Sequence, residues 1–116
     1  MIKEQLEAKI SEAVNKFEIE YIGRTAKQIK TVIINDLIII RLQGFLSWSE
    51  QNLAVNDEGI DLIKKIKLVL FENSQEYLAA IIKEITGCDV INMYSDVCIK
   101  TGEKVILITL SEYLEI

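Results

Sequence analysis

Ser95 and Asp96 are the residues of this chain that most suggest catalysis, a hydroxyl next to a carboxylate. They lie in a strand-forming segment, where neighbouring side chains point to opposite faces, so the two cannot form a direct dyad. The chain contains no histidine, and a serine nucleophile without a base lacks its usual activation. A structural role is therefore favoured for Ser95. Asp96 shares its strand face with Asn92 and Tyr94. On a second strand Arg41 shares a face with Leu37 and Ile39, and a guanidinium amid aliphatic side chains needs a carboxylate or carbonyl partner. Asp96 is the candidate partner, which makes Arg41 a partly or wholly buried, charge-paired residue; the functional alternative is that Arg41 holds a small anion or a partner's carboxylate. Gly23-Arg24 sets a flexible backbone beside a permanent cation that can receive a carboxylate, bicarbonate or phosphate oxygen. Against that stands a plain salt bridge from Arg24 to Glu18, Glu20 or another subunit. The candidate anion or partner contact is thus Gly23, Arg24, Arg41 and Asp96.

Other constellations are poorer. Asp57 and Asp61 are one helical turn apart, but two carboxylates fall far short of the six to eight oxygens that calcium takes, and both suit the positive end of a helix. Cys88 and Cys98 are separated by nine residues, with no C-x-x-C pair and no histidine to complete a metal set, so they read as reduced and structural. No catalytic group, resident metal or cofactor is expected. Trp48 is either an exposed interaction anchor or a core residue.

The elements that must position these residues can be read from periodicity. Ile2, Leu6, Ile10, Val14 and Phe17 recur at helical spacing with charges opposite, giving an amphipathic helix over 2–20. Two apolar runs, 30–34 and 37–43, flank Asn35-Asp36, residues that tolerate a tight hairpin turn. Ser47-Trp48-Ser49-Glu50 has the form of a capping box, and a short helix starts there. After Asn56, a second cap, apolar positions run at helical spacing to Thr86, with Gly87 as the stop. Unbroken, this helix spans roughly 45 Å, longer than a compact domain of this size. Either Asn73-Ser74 bends it or it projects onto another chain. Lys64, Lys65 and Lys67 on this helix read as its solvated face. Strands 90–99 and 105–110 form a second hairpin, closed by a loop with Gly102 at the position needing φ > 0.

The fold expected is α+β, in the order αββααββ: a single domain, 1–116, whose two antiparallel hairpins make a mixed or antiparallel four-stranded sheet packed by amphipathic helices. Leu37–Ile40 and Val105–Ile108 are apolar at consecutive positions, where alternation is the rule for a sheet with one wet face. Both faces should be covered, and a second protomer is the simplest cover, which predicts a homodimer through the long helix or the sheet. A net charge of −5 argues against nucleic acid as a partner. No apolar stretch approaches the ~20 residues of a membrane span, and no signal-peptide pattern opens the sequence. A cytoplasmic protein without direct membrane insertion is expected.

The combination of Glu20-Tyr21-Ile22-Gly23-Arg24, Asp36 through Leu42-Gln43-Gly44-Phe45-Leu46-Ser47 with Glu50, Glu58-Gly59, Ile85-Thr86-Gly87, Ser95-Asp96 and Thr101-Gly102-Glu103, in that order, resembles the MpsC-like domain family. This former domain of unknown function is named after a component of bacterial sodium-translocating, membrane-potential-generating systems. The likeness runs from about Leu6 to Leu114. It implies a non-enzymatic accessory or interaction subunit with a membrane-transport protein partner; the alternative is a small-anion-binding regulatory domain. Two positions depart from the family pattern: Thr25-Ala26 stand where Gly-Pro is usual, and Lys67 where arginine is frequent.

Overall fold

The computed structural model describes residues 2–24 and 26–114. The first helix, α1, covers Lys3–Phe17 and buries Leu6, Ile10, Val14 and Phe17, gross apolar transfer of about 1.5–3 kcal/mol for each large side chain before entropy. The 2–20 expectation runs past this end because the chain widens into a π-helical turn, Glu18–Ile22, stopped by Gly23 at φ 93°. Tyr21 in that turn stacks on Tyr77, with ring centroids 4.6 Å apart, which fastens it to the long helix. Strands β1 (Gln28–Ile34) and β2 (Leu37–Gln43) form the first hairpin, with Asn35 in the left-handed region at its turn.

The capping box forms at the start of α2 (Trp48–Leu53): the Ser47 hydroxyl accepts from the Glu50 N–H at 3.2 Å and the Glu50 carboxylate accepts from the Ser47 N–H at 2.8 Å. Asn56 caps α3 (Asp57–Thr86) by accepting from the Gly59 N–H at 2.8 Å, and Gly87 ends it in the left-handed conformation. This helix is continuous for 30 residues. Asn73-Ser74 does not break it: Ser74 is buried and its hydroxyl donates back to the Leu70 carbonyl at 2.7 Å, so its polar group is satisfied within the helix. The length is accommodated by shape: the molecule measures 45 × 22 × 22 Å, and roughly 1.5 Å of rise per residue makes α3 as long as its long axis.

Strands β3 (Val90–Cys98) and β4 (Glu103–Leu110) complete the sheet, which is antiparallel throughout in the order β1-β2-β4-β3. The α+β expectation and the order of elements hold. α1 packs on β1 and α3 on β3, both over the same face, where Ile33, Ile38, Ile40, Leu42, Ile106, Ile108 and Leu110 form the core. The helices of the protomer cover this face alone: the other face carries part-exposed Ile34, Leu107 and Tyr94. No helix among the described residues is long and apolar enough to cross a membrane. Thr25, one of the two departures from the family pattern, lies outside the described residues.

Candidate functional site

The uncovered sheet face is the candidate site, and strand register determines what it displays. One row crosses all four strands as Val32, Ile39, Leu107 and Tyr94. The adjacent row reads Lys30, Arg41, Val105 and Asp96. The apolar row lies across the middle of the face, and the charged row puts its cations on the β1–β2 half and its carboxylate on β3. The last row towards the second hairpin adds Glu103 on β4 and Cys98 on β3.

The candidate residues separate in this frame. Arg41 and Asp96 share the face as expected but do not pair, because β4 runs between their strands and Val105 is the cross-strand neighbour of both. Two strand spacings, roughly 10 Å, separate their backbones. Arg41 instead forks onto Glu103, with Nε to Oε1 at 3.1 Å and Nη2 to Oε2 at 3.1 Å, and its side chain is 52% exposed. It is a surface residue with a satisfied fork rather than a buried half-pair. Asp96 lies 3.6 Å from Lys64 and accepts from the Val97 N–H at 2.9 Å. Gly23 and Arg24 sit at the end of the π-turn, away from both. The Gly23 and Arg24 N–H groups donate to the Glu18 carbonyl, and the Arg24 side chain is exposed with no ion pair to Glu18 or Glu20.

Ser95 points to the helix-covered side, opposite Asp96, and its hydroxyl is buried without a hydrogen-bond partner. The two are thus kept apart as strand geometry requires. Asp57 and Asp61 are exposed in the first turns of α3, and among the described residues no cluster of three or more Cys, Asp or Glu could hold a metal ion. Trp48 is 76% exposed. Cys88 is buried in the core, whereas Cys98 is exposed on the open face. Thr101, through its hydroxyl and N–H, and the Lys100 N–H hold the Cys98 thiol below its ordinary pKa. Cys98 is therefore not a core residue, in contrast to the structural reading of both thiols.

Two lysines behave in ways the sequence reading missed. Lys67, assigned to the solvated face of α3, is 6% exposed; its ammonium lies 2.9 Å from Glu50 and 5.3 Å from the centroid of the Phe45 ring. Lys104 is 2% exposed, pairs with the equally buried Glu18 at 2.9 Å, and lies over the Phe71 ring. Each buried ammonium thus meets one carboxylate and one aromatic face, a pairing worth more when desolvated. A signal existed for the second pair: Lys104 is in phase with core residues Ile106, Ile108 and Leu110, and Glu18 follows Val14 by one helical turn.

Burial works to raise the Glu50 pKa, but the Ser47 N–H and the Lys67 ammonium overcome it and hold the carboxyl below its ordinary 4.5. A carboxyl depressed by folding contributes stability that is complete above its unfolded pKa and is lost as the pH falls through the folded one. Wild-type unfolding free energy should therefore decline as the pH drops below about 4.5. The Glu50→Gln variant should be less stable near neutrality, because Lys67 loses its counter-charge, and the gap should narrow as acid protonates the wild-type carboxyl. Urea melts across this range measure both; a gap independent of pH would show that Glu50 does not titrate with folding.

Residues 2–112 match the family described as the Na+-translocating membrane potential-generating system (MpsC). The chain belongs to this MpsC family. It is also 35% identical over 113 residues to the uncharacterized protein YbcI of Bacillus subtilis (strain 168), covering 97% of this chain and 91% of that protein. No solved structure matches the chain. The MpsC motif residues now have physical roles. Gly23, Gly44, Gly87 and Gly102 all adopt positive φ, and at Gly44 a side chain would also overlap Lys27, which lies across it. Glu103 receives Arg41, and Glu50 both caps α2 and holds Lys67. The Lys67 departure keeps a cation facing Glu50, so that position serves an internal contact rather than a partner's surface.

Proposed function

We propose that this chain is a non-enzymatic accessory subunit that acts in the cytoplasm, as a homodimer, by protein contact with a membrane ion-transport system of the Na+-translocating, membrane-potential-generating kind. The observation that carries this reading is the family match over residues 2–112. Fold alone would not justify a role, since one architecture hosts many functions. Two features of the molecule agree with it. The described residues include no membrane-spanning helix, so work at a membrane would go through a partner. The hydroxyl of the candidate nucleophile, Ser95, is buried and hydrogen-bonded to no base, and the Arg41 fork is already filled by Glu103, which favours a contact role over chemistry or free-anion binding.

The test is affinity purification of the tagged chain from membranes solubilised in mild detergent, under native expression, followed by identification of the retained proteins. Integral membrane subunits of an ion transporter are the expected co-purifying species. Recovery of the chain wholly from the supernatant, with no integral membrane protein retained, would overturn the reading.

A further inference from the structure

We propose that the open face of the sheet is a homodimer interface closed by a two-fold axis running parallel to the strands, between β2 and β4. The inference takes from the preceding reading only that the chain is a homodimer. The strand order makes the face complementary to itself. A two-fold along the strands preserves each cross-strand row and exchanges the halves of the sheet, so β1 of one protomer lies over β3 of its partner and β2 over β4. The apolar row then meets itself, with Val32 over Tyr94 and Ile39 over Leu107, each contact occurring twice. In the charged row Lys30 of one protomer lies over the partner's Asp96, whose side chain is 80% exposed and so has room for a second cation beside Lys64.

A two-fold perpendicular to the strands through the charged row sets Lys30 on Lys30, Arg41 on Arg41 and Asp96 on Asp96, a like-charge contact that opposes association. Both edges of the sheet are defended: the Glu7 carboxylate accepts the outward Ile33 N–H at 2.8 Å on β1, and a bulge interrupts β3 between Val90 and Asn92. Edge protection of this kind prevents strand addition and leaves the broad face as the surface for a second copy. Charge balance agrees. The chain carries −5 overall, yet Lys30 and Arg41 on the face are matched by Glu103 and Asp96, so two acidic molecules meet over a neutral patch. Four strands about 4.8 Å apart, each about seven residues of roughly 3.3 Å, give a face of roughly 440 Å² in projection. The corrugated accessible surface is larger than this projection, and burying it on both protomers approaches the lower range of specific interfaces.

Sedimentation equilibrium of the purified chain over a range of concentrations tests this, with circular dichroism melts to confirm that each variant folds. Wild type should be a dimer at tens of micromolar. Lys30→Glu and Asp96→Lys, both at exposed positions, should each weaken the dimer about tenfold or more, because like charges then face each other at both symmetric contacts. Mixing the two single variants should restore association as a heterodimer, in which both contacts again join opposite charges. A wild-type monomer at these concentrations would overturn both the homodimer and its interface. A dimer indifferent to both charge reversals but broken by Ile66→Glu, on the exposed side of α3, would overturn the sheet interface alone. The membrane co-purification above reads the transport role independently of either result.

Discussion

Replacing Lys104 by methionine is expected to lower the unfolding free energy by about 3–5 kcal/mol, because it strands the carboxylate of Glu18 in the core. Both side chains are almost fully buried, and among the described residues no other cation pairs with Glu18, whose second carboxylate oxygen already lacks a hydrogen-bond partner. Glu18→Gln should cost a comparable amount, since it leaves the Lys104 charge facing only the ring of Phe71. The double variant Glu18→Leu with Lys104→Met separates the cost of an orphaned charge from the worth of the pair. Burying two ions costs several kcal/mol each, and the Coulomb gain repays it only with every lone pair satisfied, which is not so here. The double variant is therefore expected to be at least as stable as wild type. Urea melts followed by far-ultraviolet circular dichroism give all three values. If Lys104→Met alone left stability unchanged, the ammonium would have to be hydrated in solution, and the account of the core around the π-turn would be wrong.

The features that local chemistry controls were legible before any coordinates. Capping at Ser47 and Asn56, the stop at Gly87 and the turns at Asn35 and Gly102 all depend on a few adjacent residues whose side chains or φ preferences act within one turn of chain. The partner of Arg41 was not legible. It depends on which strand lies between β2 and β3, and a sequence of two hairpins is compatible with several strand orders; once β4 lies between, Asp96 is out of reach and Glu103 is near. Lys67 was assigned to solvent because lysines cluster around it, although it follows Ile63 by one turn on the buried side of α3. A buried charge defeats hydropathy patterning, since its presence is explained only by a carboxylate distant in sequence, Glu18 for Lys104 across 86 residues. The open face was anticipated only as a conflict, two strands apolar on both sides with too few helices. The coordinates resolve that conflict by placing all helix packing on one side.

Gly59→Ala should destabilise the protein by about 1–3 kcal/mol, the usual cost of overpacking, although helix propensity alone favours alanine over glycine by about 1 kcal/mol in a helix interior. Sterics decide the sign. Gly59 lies in the first turn of α3, and a Cβ there would overlap the carbonyl oxygen of Leu53, the last residue of α2. Backbone is the obstacle, so no rotamer change relieves it: either α2 moves away or the start of α3 unwinds. The same Cβ would come within 3.3 Å of Asn56 Oδ1, the atom that caps the helix through the Gly59 N–H. The strain should be localised, with faster hydrogen exchange over 48–53 and across the Ser47–Glu50 capping box, while the sheet keeps its protection. Lys65→Ala, exposed on the same helix, is the control and should change stability by no more than about 0.5 kcal/mol. If Gly59→Ala proved more stable than wild type, propensity would have prevailed, and α2 would be held too loosely for its close approach to α3 to explain the glycine.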